Sequence, residues 1–245
     1  MMKLKVTLSS EKPVFLPLHY NYILQSFIYR NMEEIYSIFL HNYGFPYKKR
    51  FFKLLTFSKL YGRKRVIKGA KRIIFFPPIH FYVSCILEEV LSSHAKVLLK
   101  REKLRLGRNE VFLEGVEVIT EKVEGNKTLL KTLSPITIHS TREDKKTIYY
   151  NPYEEKFYSL LEENLRKKCQ IAGIKEGLES IKISPAKDAF FKKVVVLYKN
   201  NFVIEAWRGK FLIEAPSKII EVALKAGLGD RNSQGFGMVA IDEEN

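Results

Sequence analysis

Cysteine is almost missing from this chain. Of 245 residues only Cys85 and Cys169 are thiols, too few for a disulfide framework and too far apart to read as paired metal ligands. Histidine is scarce too: the five residues at 19, 41, 80, 94 and 139 are scattered, and the sequence holds neither HExxH nor a clustered Asp pair. A hydrolase built on a divalent metal has little to stand on, and no metal or other cofactor is expected. Long apolar runs are also lacking. The most apolar, Ile73 to Leu87, contains Pro77, Pro78 and His80 and is shorter than the roughly 20 residues that cross a bilayer. Met1 to Ser10 alternates lysine with apolar residues rather than following the order of a signal peptide. A globular, cytoplasmic protein with no membrane partner is the expectation.

Acidic residues are in deficit, 27 against 42 basic ones, for a formal net charge of +15. The imbalance is concentrated in residues 1–120, with 21 basic and 9 acidic residues, whereas residues 121–245 hold 21 and 18. Between Lys48 and Arg72 there are 11 basic residues and no acid, interleaved with Phe51, Phe52, Phe57 and Tyr61. Charges that track phosphates beside rings that stack on bases point to nucleic acid, with Lys48, Lys49, Arg50, Arg63, Lys64 and Arg65 as candidate contacts. A solubilising face or a patch for anionic lipid is the alternative. The segment lacks the amphipathic helix that lipid binding favours.

Hydrophobic periodicity predicts the elements. Lys3–Leu8 alternates as a half-buried strand, and Leu18–Phe39 changes to helical spacing. Strands are expected at Leu54–Ser58, Ile73–Phe76, Phe81–Ser84, Lys96–Leu99 and Val111–Ile119, with a short helix at Ile86–Ser93. Polar Glu121–Lys127 reads as a linker. Beyond it, Leu129–His139 is strand-like, a helix runs from Pro152 to Cys169, and strands follow at Ile181–Ile183, Val194–Tyr198, Phe202–Trp207 and Phe211–Glu214. A helix at Ser217–Lys225 and a strand at Phe236–Ile241 complete the order. The expected class is α+β: two tandem ferredoxin-like (RRM-like) βαββαβ domains, residues 1–122 and 128–245.

After the last helix comes Gly227-Leu228-Gly229-Asp230-Arg231-Asn232-Ser233-Gln234-Gly235-Phe236-Gly237. Four glycines relax the backbone enough for N–H groups to approach a phosphate, and Arg231 supplies charge, so Gly227, Gly229, Arg231, Asn232, Ser233, Gln234, Gly235 and Gly237 are candidate RNA-binding residues. Two paired Gly-hydrophobic-Gly units separated by five residues resemble the signature loop of the CRISPR-associated repeat-processing endoribonucleases, the Cas six family. The segments His19–Ser26 and Thr132–Ile136 are similar to family sequence as well.

The resemblance implies RNA gripped across two ferredoxin-like domains and cut within the CRISPR repeat without a metal. It also implies a Tyr, a His and a Lys in the first domain, which local pattern matches to Tyr29, His41 and Lys53. Such cleavage proceeds by attack of the adjacent 2′-hydroxyl on phosphorus, leaving 2′,3′-cyclic phosphate and 5′-hydroxyl ends. His41 suits acid or base work, Lys53 charge stabilisation, and Tyr29 orientation or proton transfer. Read without the resemblance, Tyr29 equally suits a core-edge aromatic and His41 a helix C-terminus. Lys48 and Lys49 are substitutes for Lys53. In a single helix from Leu18 to Asn42 the Tyr and His would stand about 18 Å apart, so the helix must break; Asn31 and Glu34 read as an N-cap and its capping-box partner there. The expected partner is CRISPR repeat RNA, with a homodimer and hand-off to a CRISPR effector complex compatible with the family. A non-catalytic RNA-binding subunit of the same fold is the alternative function.

Overall fold

The computed structural model describes residues 1–199 and 202–243. Its first half contains β1 (Met2–Ser9), β2 (Val14–Pro17), α1 (Asn21–Arg30), α2 (Glu34–Ile38), β3 (Phe45–Tyr47), β4 (Arg50–Phe52), β5 (Leu55–Phe57), β6 (Tyr61–Ile67), β7 (Arg72–Cys85), α3 (Glu88–Lys100), β8 (Leu104–Leu106) and β9 (Asn109–Thr120). The second contains β10 (Lys127–Thr132), β11 (His139–Thr141), β12 (Thr147–Tyr149), α4 (Glu155–Ile171), β13 (Lys182–Pro185), β14 (Lys192–Tyr198), β15 (Phe202–Arg208), β16 (Lys210–Glu214), α5 (Ser217–Ala226) and β17 (Val239–Ile241). Among the described residues no helix is long and apolar enough to cross a membrane.

Both halves are ferredoxin-like. In the first, β1 pairs antiparallel with β7 on one side and β9 on the other, and β6 pairs with the far edge of β7. In the second, the order is β13-β16-β10-β17. The alternation read in β1 is real: Leu4, Val6 and Leu8 point inward onto Leu24, Phe27 and Ile28 of α1 and Leu91 and Leu98 of α3. In the second half α4 and α5 pack Phe157, Leu161, Leu165, Ile219 and Ile220 against Leu130, Phe211 and Ile213. Burying each such side chain contributes about 1.5–3 kcal/mol relative to leaving it in water.

Several expectations need correction. Lys96–Leu99 is no strand but the end of α3, because the buried stripe of Val90, Leu91, His94 and Leu98 continues at helical spacing. The strands expected at Ile73–Phe76 and Phe81–Ser84 are one strand, β7, running through Pro77 and Pro78. Leu129–His139 is divided: β10 ends at Thr132, and His139 starts β11, which pairs with β12. Pro152 lies upstream of α4, not in its first turn. The strands at Val194–Tyr198 and Phe202–Trp207 do form, yet they pair with each other as a hairpin outside the main sheet. Short β2 and exposed β6 carried too little alternation to be read.

Candidate active site

The helix from residue 21 breaks where the candidate site requires it, though by other means than a capping box. Asn31 does not cap α2; the residue in that position is Glu33, and no side chain caps the helix. Instead Asn31 closes α1: its Nδ2 donates to the Phe27 carbonyl at 2.8 Å. Helix α3 then fixes the break from outside. Arg101 donates to Asn31 Oδ1 at 2.9 Å, the buried His94 Nδ1 meets the Asn31 carbonyl at 2.6 Å, and Ser93 Oγ accepts from the Glu33 N–H at 2.7 Å.

Beyond the break α2 passes into a π-helical turn, Phe39–Tyr43, a local widening of the helix that recurs at functional sites. It carries His41 back to Tyr29, and their rings meet edge to face with centroids 6.5 Å apart. Lys53 donates from Nζ to the carbonyls of His41 at 3.0 Å and Tyr43 at 3.1 Å, so it ties down the turn that bears the histidine. An ammonium has three N–H donors, which leaves one for a ligand. His41 Nδ1 lies 2.7 Å from Asn42 Oδ1; with Nδ1–H donating there, Nε2 is free to exchange a proton.

Tyr29, His41 and Lys53 line a single cleft of about 1170 Å³, together with Gln25, Tyr198, Ser233 and Gln234. The electrostatics of the three differ. Burial pushes the Tyr29 phenol up to about 12, with the neighbouring Ser233 and Gln25 side chains acting the other way. Burial lowers the Lys53 ammonium below the usual lysine range. His41 is exposed.

The glycine-rich loop is bound up with the protein rather than laid open. Its four glycines are buried with positive φ. A Cβ on Gly227 would lie 2.6 Å from Asn232 Nδ2, and one on Gly235 would lie 2.6 Å from the Phe57 ring. Their lack of side chains is therefore accounted for by close packing. The half-buried apex, Arg231–Gln234, presents Ser233 and Gln234 to the cleft.

A buried lysine organises this loop. Lys168 donates to the carbonyls of Gly227 at 2.7 Å and Gly229 at 2.9 Å and to Asn232 Oδ1 at 2.8 Å. Burial pulls its pKa down to about 7, against which Asp230 acts. Sequence reasoning missed Lys168, although a signal existed: it falls on the apolar stripe of α4 that runs through Phe157, Leu161 and Leu165.

The expected basic contacts do not converge on this cleft. Lys48, Lys49 and Arg50 are exposed around the β3–β4 turn, and Arg63, Lys64 and Arg65 are exposed on β6. The cleft has its own cations, Arg30, Lys53, Lys71, Arg72, Arg105, Arg108 and Lys199. Of these, Arg105 and Arg108 come from the β8–β9 hairpin, which the sequence reading did not single out.

Comparison with known proteins matches this arrangement. The family model described as CRISPR associated protein Cas6, C-terminal, matches residues 119–241, and the one described as CRISPR-associated protein Cas6, N-terminal, matches residues 15–117. A curated relative from Methanocaldococcus jannaschii, named CRISPR-associated endoribonuclease Cas6 1, is 28% identical over 256 residues, covering 100% of this chain and 94% of the relative. CRISPR-associated endoribonuclease Cas6 from Pyrococcus furiosus is 28% identical over 232 residues, covering 92% of this chain and 83% of the relative. A solved structure described as CRISPR associated protein Cas6 superposes with a TM-score of 0.77 at 26% identity, over 99% of both chains. The product of a Cas6-related gene from Pyrococcus furiosus shares the fold with a TM-score of 0.84 at 22% identity, over 100% of this chain and 99% of that one.

Proposed function

Because the chain belongs to the CRISPR-associated Cas6 family, whose C-terminal model alone spans residues 119–241, we propose that it is an endoribonuclease that cuts CRISPR repeat transcripts into guide RNAs. The observation that carries this reading is the convergence of Tyr29, His41 and Lys53 on one cation-rich cleft. In the proposed reaction the 2′-hydroxyl before the scissile phosphate loses its proton and attacks phosphorus. The bond to the 5′-oxygen breaks, and that oxygen takes up a proton, giving a 2′,3′-cyclic phosphate and a 5′-hydroxyl.

The residues divide the work by their surroundings. With its phenol pushed up to about 12, Tyr29 is protonated at neutral pH and serves as a hydrogen-bond donor, not a base. His41 Nε2 is then the group that exchanges protons. Lys53 offers its remaining N–H to the charge that develops on the phosphoryl oxygens. No metal is called on in this reading, because His41, Tyr29 and Lys53 cover the proton exchange, donation and charge stabilisation that the reaction needs. The exposed Lys48–Arg50 and Arg63–Arg65 extend the phosphate path away from the cleft, and Arg231–Gln234 meet the RNA near the cut.

We take 1–122 and 128–245 as the two domains and place the reaction in the cytoplasm, upstream of hand-off to a CRISPR effector complex, with a homodimer as the assembly to test by sedimentation. The decisive assay incubates the purified protein with repeat RNA in excess EDTA. A discrete cut with a cyclic phosphate end is expected. RNA that is retarded on a gel yet intact would overturn the enzymatic reading in favour of a binding subunit.

A further inference from the structure

The cleft that holds Tyr29, His41 and Lys53 continues along α1 to an end that the chemistry above does not use. Tyr22 lies seven residues before Tyr29 on the same face of the helix, about 10 Å away along its axis, and it lines the cleft together with Phe15 of β2. Both rings are open to water, Phe15 with 50% of its surface exposed. Strand alternation puts Phe15 outside: its neighbours Val14 and Leu16 are buried, so it faces away from the core. Lys71 and Arg72 reach this end because Arg72 is the register partner of Pro17, and the β8–β9 hairpin adds Arg105 and Arg108. All four cations are exposed. Among the described residues none offers these four side chains a hydrogen bond or an ion pair; Glu110, opposite Arg105 in the hairpin, is taken by Lys103 at 3.2 Å. No Asp or Glu is among the described residues that line the cleft.

One asparagine fixes where the Phe15 ring stands. Asn109 Oδ1 accepts from the Phe15 N–H at 2.9 Å, and its Nδ2 donates to the Phe15 carbonyl at 2.9 Å, so a side-chain amide satisfies the backbone on the edge of β2 away from β7. The same Nδ2 donates to the Leu106 carbonyl at 2.9 Å and ties β2 to the β8–β9 hairpin. That hairpin turns through Gly107, with φ at +64°, and Arg108. A Cβ on Gly107 would lie 3.2 Å from Ile23 Cγ2, which shows the turn resting on α1. The ring and the hairpin arginines are therefore carried on backbones held in one relation before any ligand arrives, which lowers the ordering cost of binding.

An exposed ring among uncommitted cations, in a cleft lined by no carboxylate, suits a single-stranded nucleic acid: phosphates meet the cations and an unstacked base lies on the ring. We propose that Phe15 is the stacking platform of a subsite, lined also by Tyr22, that takes one unpaired base of the repeat RNA near the cut. Lys71, Arg72, Arg105 and Arg108 hold the flanking phosphates. The separation of Tyr22 from Tyr29 corresponds to roughly three nucleotides at about 3.4 Å per nucleotide of a stacked strand. A duplex keeps its bases stacked on one another, so the RNA must be single-stranded where it meets Phe15, and that contact sets the register of the strand against His41. This rests on the reading of the cleft as the place of cutting, and adds to it the form of RNA that the cleft accepts.

The test uses the full-length protein and a set of repeat RNAs, each with one base replaced by an abasic site, and measures Kd by fluorescence anisotropy in EDTA. A 2′-deoxy nucleotide before the mapped cut keeps the RNAs whole. The wild type should bind about tenfold more weakly when the abasic site falls at one position within about five nucleotides of the cut. Phe15→Ala should bind the RNA with all its bases about tenfold more weakly and lose the penalty at that position, the mark of a direct contact between ring and base. Phe15→Trp should keep both affinity and penalty, and neither variant should melt differently, because the ring is exposed. Replacing Arg105 and Arg108 together by Ala should weaken every RNA alike and leave the penalty in place. Wild-type affinity in Phe15→Ala, abasic penalties identical in wild type and Phe15→Ala, or a coupled base far outside that window would overturn the proposal. If all-ribose repeat RNA stays uncut while Phe15 is still coupled to one base, the subsite stands and only the endoribonuclease reading fails.

Discussion

Tyr29 sits at the boundary between core and cleft, with 8% of its surface exposed, and that position decides what it can do. A phenol raised to about 12 stays neutral while pH rises from 6 to 9 and ionises only as pH passes through that value. The expected result of Tyr29→Phe is accordingly a pH–rate profile lowered at every point from 6 to 9 but unchanged in shape. A limb that vanished in the variant would assign the titrating proton to Tyr29 instead. His41→Ala should keep its RNA affinity and lose on the order of 10²-fold or more in rate, the scale of a lost general acid or base. At this scale the sequence was legible only through the resemblance: the helical stripe could not distinguish Tyr29 from a core-edge ring. Two further roles left no mark in spacing. Lys53 reaches back to the carbonyls of His41 and Tyr43, a contact between positions joined only by tertiary folding, and Lys168 required treating a charged residue as part of an apolar stripe.

The break between α1 and α2 is the element on which the site depends, and it is built by α3. Asn31→Ala would strand the Phe27 carbonyl and remove the anchor for Arg101; a loss of about 1–3 kcal/mol is expected for a buried group left unsatisfied. Because the break sets the distance from His41 to Tyr29, cleavage should fall further than RNA affinity, measured side by side with the denaturant midpoint. Equal and unchanged values would show that α2 holds its place without the asparagine. That the chain had to bend near Asn31 was legible from the separation of Tyr29 and His41 alone. How it bends was not, since the partners of Asn31 come from His94 and Arg101. Local propensity also misassigned Lys96–Leu99, where β-branched Val97 suggested a strand and the packing of Leu98 against the sheet settled on a helix. The glycine loop carries its own prediction. At Gly235, φ is +84° and a new Cβ would lie 2.6 Å from Phe57 Cε2 and 2.9 Å from Asn21 Nδ2. Gly235→Ala should therefore disturb the junction at both ends, weakening RNA binding and cleavage together, with the thermal midpoint reduced. Wild-type behaviour in all three measurements would mean the loop tolerates displacement.

Across the whole molecule, two ferredoxin-like halves meet along α1, β5 and the glycine loop, and the net charge of +15 is shared between the cleft and exposed segments such as Lys48–Arg50 and Arg63–Arg65. Long-range attraction of this kind is screened by salt, and each phosphate neutralised releases counterions. Replacing Arg63, Lys64 and Arg65 together by Ala should weaken binding to every RNA, flatten the dependence of affinity on salt, and leave melting nearly unchanged, because these side chains are exposed and the placing of Arg63 over Phe76 and Lys64 over Phe75 contributes only about 0.5–1 kcal/mol each at exposed sites. Fluorescence anisotropy from low to high salt checks this; an unaltered slope would move the RNA path off β6. The fold class was readable at this scale because β1, α4, α5 and β16 obey clean periodicities. The β14–β15 hairpin was not placed, because strand pattern alone does not say which sheet a strand joins.

In the proposed chemistry the RNA supplies its own nucleophile, with His41, Tyr29 and Lys53 around it. A repeat RNA carrying a single 2′-deoxy substitution just upstream of the scissile phosphate keeps the phosphates and bases that provide affinity, so in EDTA it should bind like the all-ribose substrate and remain uncut. Cleavage of the deoxy RNA at the same position, or cleavage of either RNA only after a divalent metal is added, would contradict the mechanism.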